Sequence, residues 1–387
     1  MAGKLSGSSW FQRFVLPGLA FKAVVIGGGY ATGRELAEYF LPSGPWGGLL
    51  GISLAMVFWS LVCAATFALA HVSRSYDYNS FLDTLLGPVR GVFEIAYILL
   101  VFVVLAVFGA VAGEIGNAIF GWPTVYGTLL LAALTTVCAT LGNVAVEQVF
   151  KYVSLLLYGV YAVFFVLILS QFGDRVVTNF TDAPVGPGWV VGGITYASYN
   201  VVGAIVVLPV LRHMTRTRDA VVAGILAGPL AMLPAVLFFI GMIAFYPDIG
   251  TATLPSDYLL QRLDKPWFHF AFQVMIFAAV LESSVGTVHA VNERFAASWR
   301  SSRRSEMSIW LRAGITFTLL IICIFIAGGI GLVDLIATGY RIIAIVFLAM
   351  FVVPVLTIGL VRVIAISKDT RNARSPSQAD NNQTDSV

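Results

Sequence analysis

Apolar runs long enough to cross a bilayer follow one another along the chain, and the polar positions gather in the short segments between them. A membrane-spanning helix needs roughly 20 residues, and ten segments satisfy that: 14–40, 47–71, 88–112, 123–142, 146–172, 189–212, 220–246, 266–291, 309–329 and 341–364. The pattern predicts an all-α polytopic membrane protein with a short N-terminus (1–13) and a five-helix unit (14–172). A loop (173–188), a second five-helix unit (189–364) and a polar, disordered tail (365–387) follow. The first run is too long to be a cleaved signal peptide, and it carries Lys22, Arg34, Glu35 and Glu38.

Composition agrees with the pattern. Of 387 residues, 58% are hydrophobic and 11% charged, with a mean hydropathy of +0.88; a soluble domain carries about twice that charged fraction. The basic residues also orient the chain. With the N-terminus inside, 17 of the 23 Lys and Arg fall on cytoplasmic segments, as the positive-inside rule requires. Both termini are then cytoplasmic, in a plasma or bacterial inner membrane. The net charge of +3 reflects this asymmetry and the attraction of basic loops to anionic membrane lipid, with no nucleic-acid partner implied. Cys63, Cys138 and Cys323 all fall within spans, so no disulfide framework is expected.

The stretch Val24-Val25-Ile26-Gly27-Gly28-Gly29-Tyr30-Ala31-Thr32-Gly33 resembles the start of a dinucleotide-binding loop, but Thr32 stands where the third glycine belongs. The region that should supply an acidic residue enters another membrane span, so the nucleotide reading fails. In a helix, each glycine costs roughly 1 kcal/mol relative to alanine. Gly29 and Gly33 have the small-x-x-x-small spacing of close helix packing. The alternative, which we expect, is a discontinuous helix whose freed backbone groups face a binding site near the midplane. An inverted repeat then requires the sixth span to be broken too, and its centre carries Ser198, Tyr199, Asn200 and Gly203. The two spans each open a five-span half, and an odd number of spans per half makes the halves inverted.

At this point the chain resembles the amino acid–polyamine–organocation superfamily and the neurotransmitter–sodium symporters, which share the five-plus-five LeuT-type fold. Within that group it resembles the YkvI-type membrane permeases. The resemblance rests on Gly27–Gly33 with Arg34-Glu35, on Ile194-Thr-Tyr-Ala-Ser-Tyr199, and on Phe277-Ala-Ala-Val-Leu-Glu-Ser-Ser284. It implies ten helices in two inverted repeats, with helices 1 and 6 discontinuous. It also implies residue roles. A solute carboxylate would sit on backbone amides around Gly27, Gly28, Gly29, Tyr30 and Thr32. An amino group would sit near Tyr196, Ser198, Tyr199 and Asn200, with Tyr97 closing the site. A sodium ion, where the family uses one, would lie near Ala279, Glu282 and Ser283.

Glu282 departs from that pattern, because a neutral hydroxyl residue is expected there. A carboxylate could bind Na+ more tightly or carry a proton in its place. It lies roughly 6 Å from the centre of its span toward the cytoplasm, and an ionisable group so deep is a functional candidate. A structural ion pair is the alternative. Lys22 is a possible partner, although its long side chain could instead snorkel to the inner surface. Arg34 and Glu38, four apart, are candidates for an outer gate or an ordinary surface pair.

The sequence therefore predicts a secondary active transporter of a small amino-acid-like or organic amine solute, working by alternating access and coupled to H+ or Na+. No organic cofactor and no enzyme activity are expected, since Ser283-Ser284 lacks a nearby histidine in its span. An uncoupled channel and a solute sensor that moves nothing remain as alternatives. The solute and the oligomeric state are not legible.

Overall fold

A computed structural model describes residues 9–141, 143–303 and 307–374. These residues form helices and turns, with no strand among them. Eight helical stretches are long and apolar enough to cross a membrane. The shorter apolar helices Leu16–Val25 and Thr124–Ala139 fit the remaining places in the predicted order.

Span one is three pieces, Leu16–Val25, Gly28–Ala31 and Arg34–Tyr39. Span two is Gly44–Ser73, span three Arg90–Phe120, span four Thr124–Leu141 and span five Asn143–Asp182. Span six is Trp189–Asn200 and Gly203–Val206, continued by a tighter turn, Leu208–His213. Span seven is Thr217–Ile243, span eight Pro266–Arg303 and span nine Ile309–Ile330. Span ten covers 332–374 and contains three wide π-helical stretches. A short helix, Pro255–Leu263, lies between spans seven and eight.

The structure moves several boundaries. Span five runs to Asp182, so most of the predicted 173–188 loop is helix, bent at Phe172 (φ −127°, ψ 16°). Span ten stays helical to Arg374, past the expected start of a disordered tail; residues 375–387 lie outside the described residues. In both places polar residues follow the apolar run, and hydropathy marks where hydrocarbon ends, not where backbone hydrogen bonding ends.

Two groups of helices form the molecule. Spans one, two, six and seven pack as a bundle, and spans three, four, eight and nine pack around it, with span five against spans seven and eight. The join between spans two and seven is the tightest, and small residues make it. A Cβ on Gly224 would strike the backbone of Cys63 and Ala64, and one on Gly228 would strike Ser60 and Met56. Ser60 Oγ donates to the Ile225 carbonyl at 2.8 Å across the same seam. In a bilayer the lipid offers apolar contact as good as a neighbouring helix, so close backbone approach is what holds such a pair together.

Candidate functional site

Span one breaks twice, and each break has its own cause. At Ile26 (φ −75°, ψ 87°) and Gly27 (φ −104°, ψ −168°) the chain leaves the helix for extended backbone. One turn later Gly33 takes a left-handed conformation (φ 78°), which glycine adopts without steric cost. Between the breaks, Thr32 Oγ1 donates to the carbonyls of Gly28 and Gly29 at 2.9 and 3.2 Å. Tyr30 reaches across to the Ala231 carbonyl of span seven at 2.8 Å, and Tyr161 of span five donates to the Ala31 carbonyl at 2.7 Å. Buried phenols thus brace the interrupted turn on both sides.

Span six is interrupted more gently. Ala204 and Ile205 bond to Val201 and Val202, three residues back, where a continuous α-helix would bond four back. Asn200 Nδ2 donates to the Tyr196 carbonyl (3.2 Å) just before this turn.

A cavity of about 310 Å³ lies between the two interruptions. Gly27 and Glu35 of span one, Tyr199 and Asn200 of span six, Tyr97 and Phe108 of span three, Glu282 and Ser283 of span eight and Tyr340 of span ten meet on its walls. It continues past Val24 and Val206 between Gly203 and Thr287, on the side of the break that leads to the chain's N-terminus. Glu35, Tyr199 and Tyr340 lie at the opposite end, where Tyr199 and Tyr340 stack with ring centroids 4.4 Å apart.

Beyond that end the path is filled. Arg34 is buried, and its Nη1 donates to the carbonyls of Gly250 and Ala252 at 3.0 and 2.9 Å, while Nη2 meets Glu38 at 3.1 Å. Arg341 of span ten stands 3.7 Å from the other oxygen of Glu38. The Ser256 amide donates to the Thr32 carbonyl (2.9 Å), so the segment between spans seven and eight is latched onto the break. Beside the wall residue Tyr97, Arg294 of span eight pairs with Glu94 of span three (3.2 Å), and its guanidinium lies 4.1 Å from the centre of the Tyr97 ring.

The structure brings some of the sequence-selected residues together and leaves others apart. Gly27, Tyr97, Tyr199, Asn200, Glu282 and Ser283 share the cavity wall. Gly28 packs on Phe108 and Val111 of span three, where an added Cβ would come within 3.2 Å. Gly29 backs onto the Glu35 side chain, 2.8 Å from Cγ to the position of a Cβ. Tyr30 and Thr32 are turned into the protein, Ser198 Oγ bonds back to the Ile194 carbonyl (2.6 Å), and Tyr196 is buried among Tyr39, Phe40 and Trp59. Ala279 is buried behind the wall.

Lys22 does not reach out to the surface. It is 2% exposed, with Nζ 4.4 Å from the Tyr158 ring centre, close enough to Glu282 for the two charges to attract. Ser283 Oγ lies 3.4 Å from the carbonyl of Ile26, the last residue before the first break. Helix 1, span five and span eight therefore converge on one polar point beside the cavity.

Sequence reasoning passed over Glu35 and Tyr340. Glu35 sits in the same motif as Arg34, but a charge near the end of a span reads as surface until the bend at Gly33 is known. Tyr340 falls just outside the predicted start of span ten, in a wide helical stretch that hydropathy cannot show.

No known family model matches the chain. In sequence it is 22% identical over 339 residues to the uncharacterized membrane protein YkvI of Bacillus subtilis (strain 168), covering 86% of this chain and 92% of that protein. Several solved structures share its architecture. MhsT in complex with L-phenylalanine matches with a TM-score of 0.55 at 16% identity, covering 93% of this chain and 98% of that one. A Na+-coupled sialic acid symporter in a substrate-bound outward-open state gives 0.58 at 14% identity, over 88% and 78% of the two chains. The inward-facing conformation of Mhp1 gives 0.52 at 16% identity, over 88% and 75%. The chain has the LeuT-type fold, with the discontinuous first and sixth helices that the sequence led us to expect. YkvI is its relative in sequence.

Proposed function

We propose that this chain is a secondary active transporter of a small organic solute bearing an amino group, working by alternating access and driven by a proton or sodium gradient. The cavity between the interrupted helices carries this reading. It opens along one side of the breaks and is shut on the other by Arg34, Glu38 and the segment holding Gly250 and Ala252. A solute pocket sealed on one side is what alternating access needs, whereas a channel needs a continuous path. Its size is that of a small-molecule site. The sodium-coupled sialic acid symporter and the phenylalanine-bound MhsT, which share the fold, support the reading by analogy.

Coupling is assigned to Glu282 and Ser283. Ser283 touches the carbonyl that precedes the break, and Glu282 faces the cavity with Lys22 behind it. Protonating Glu282, or placing a cation between it and the Ile26 carbonyl, would change the attraction that holds span eight, Lys22 and the first part of helix 1 together. Residues on the sealed side then act as the outer gate. The test is uptake into proteoliposomes of radiolabelled amino acids and amines, with an imposed pH or Na+ gradient. Glu282→Gln should abolish gradient-driven accumulation, at least tenfold, while leaving a folded, monodisperse protein. Accumulation equal to the unmodified chain would sink the coupling assignment.

A further inference from the structure

Glu35 is a cavity-lining carboxyl that the coupling reading does not use. It is 4% exposed, and its Oε2 has no hydrogen-bond partner. The hydroxyls of Tyr196 and Tyr199 are buried and equally unpartnered. Tyr199 lies close enough to the carboxyl to interact with it, and the Tyr340 ring stacks on that of Tyr199 with centroids 4.4 Å apart. Tyr199, Tyr340 and one carboxyl group thus line this end of the cavity. Among the described residues no cation forms an ion pair with Glu35. Its neighbour Arg34 is committed to Gly250, Ala252 and Glu38, and Lys22 lies beside Glu282.

The fold also keeps a place for this carboxyl. The bare Cα of Gly29 makes the room, since a Cβ there would overlap the Glu35 side chain. The left-handed turn at Gly33 points the following helix so that Glu35 looks back into the cavity while Arg34 looks away. A buried carboxylate without a counter-cation is costly. An arriving cation relieves that cost, and aromatic faces around it add attraction. Among the described residues, the cavity lining holds two carboxylic acids, Glu35 and Glu282, and no lysine, arginine or histidine. An anionic solute would find no basic side chain among the described residues of its walls.

We propose that Glu35, framed by Tyr199 and Tyr340, is the subsite for the ammonium group of the solute, and that the transported class is organic cations. The proposal rests on the cavity being the solute site, and it narrows the amino-bearing solute to one with net positive charge. Acids and zwitterions with a dominant carboxylate are disfavoured.

The test is isothermal titration of the full chain in lipid nanodiscs with phenethylamine, putrescine and choline, set against 3-phenylpropionate, glutarate and 3-phenylpropanol. At least one amine should bind, and the acids and the alcohol should bind at least tenfold more weakly or not at all. Glu35→Gln should weaken the amine at least tenfold, Glu35→Asp should recover part of that loss, and the surface variant Asp83→Asn should match the unmodified chain. Absence of amine binding, equal binding of acid and amine, or full amine affinity in Glu35→Gln would each overturn the proposal. The last result would leave Glu35 as a proton carrier at most.

A second measurement needs no Glu35 variant. Thiol labelling of Asn200→Cys, in a chain whose three native cysteines are replaced by serine, should be slowed by the bound amine and not by 3-phenylpropionate. Equal protection by both overturns the proposal. Titration needs no gradient, so amine binding without driven uptake would sink the transporter reading and leave the Glu35 subsite standing. Driven uptake of a neutral or anionic solute would do the reverse.

Discussion

At the scale of single residues, the glycines of the first span have separate tasks. Gly33 holds φ 78°, and a Cβ there would also run into the Phe238 ring. For a non-glycine residue the left-handed conformation costs roughly 1–2 kcal/mol, and overpacking adds about 1–3 kcal/mol. Gly33→Ala should therefore lower stability by at least 2 kcal/mol (about), read as a fall in the thermal midpoint of the purified protein. Gly29→Ala has no such backbone strain, since Gly29 lies in helical backbone. Its Cβ would displace Glu35 instead. It should cost about 1–3 kcal/mol, and it should also weaken amine binding, which Gly33→Ala need not do beyond its effect on folding. An equal loss of binding per degree of destabilisation in both variants would refute this division of labour.

At the scale of elements, the interruptions explain what the sequence could and could not reveal. Three consecutive glycines in an apolar run announce a weak helix whatever surrounds them, so the break in span one was legible. The break in span six was legible by symmetry from Ser198 to Gly203. The direction in which each side chain points was not. A helical projection from Gly27 assumes one continuous axis, and the bend at Gly33 resets the facing of every later residue. That is why Arg34 and Glu38 were noticed as a pair four apart, while Glu35 between them went unassigned. The same uncertainty explains Tyr30 and Thr32, which lie in the expected motif yet turn to Ala231 and to the turn's own carbonyls. The packing of span two against span seven was also hidden, because glycines scattered through both runs carry no mark of their partner. Here Gly224→Leu is the informative change. Its side chain would enter the space of Cys63 and Ala64, prying the two spans apart. It should give aggregated or strongly destabilised protein, whereas Gly314→Leu, where nothing lies within 4 Å of an added Cβ, should be tolerated. Size-exclusion profiles in detergent distinguish the two.

For the whole molecule, the key property is that Arg34 and its partners close one side of the cavity. Arg34 joins helix 1, the segment between spans seven and eight and, through Glu38, the start of span ten into one plug. Hydrogen bonds to a charged group contribute about 1.5–3 kcal/mol each, and every 1.4 kcal/mol is a tenfold change in an equilibrium. Removing the guanidinium should therefore free the plug and raise the fraction of molecules open on the far side by at least about tenfold. Asn200→Cys reports this directly, because Asn200 lies on the cavity wall. In a background free of other cysteines, a membrane-impermeant thiol reagent should reach it from the face that carries Arg13 and Asp219, which pair at 2.7 Å where the N-terminal segment meets span seven. The positive-inside rule leads us to expect that face to be cytoplasmic, so labelling is expected in inside-out vesicles and not in right-side-out ones. Adding Arg34→Ala should produce labelling in both. If the double variant remains accessible from one face only, Arg34 is a structural clamp and the gate lies elsewhere. If the single-cysteine chain is already labelled equally from both faces, the cavity is a pore and alternating access fails with it.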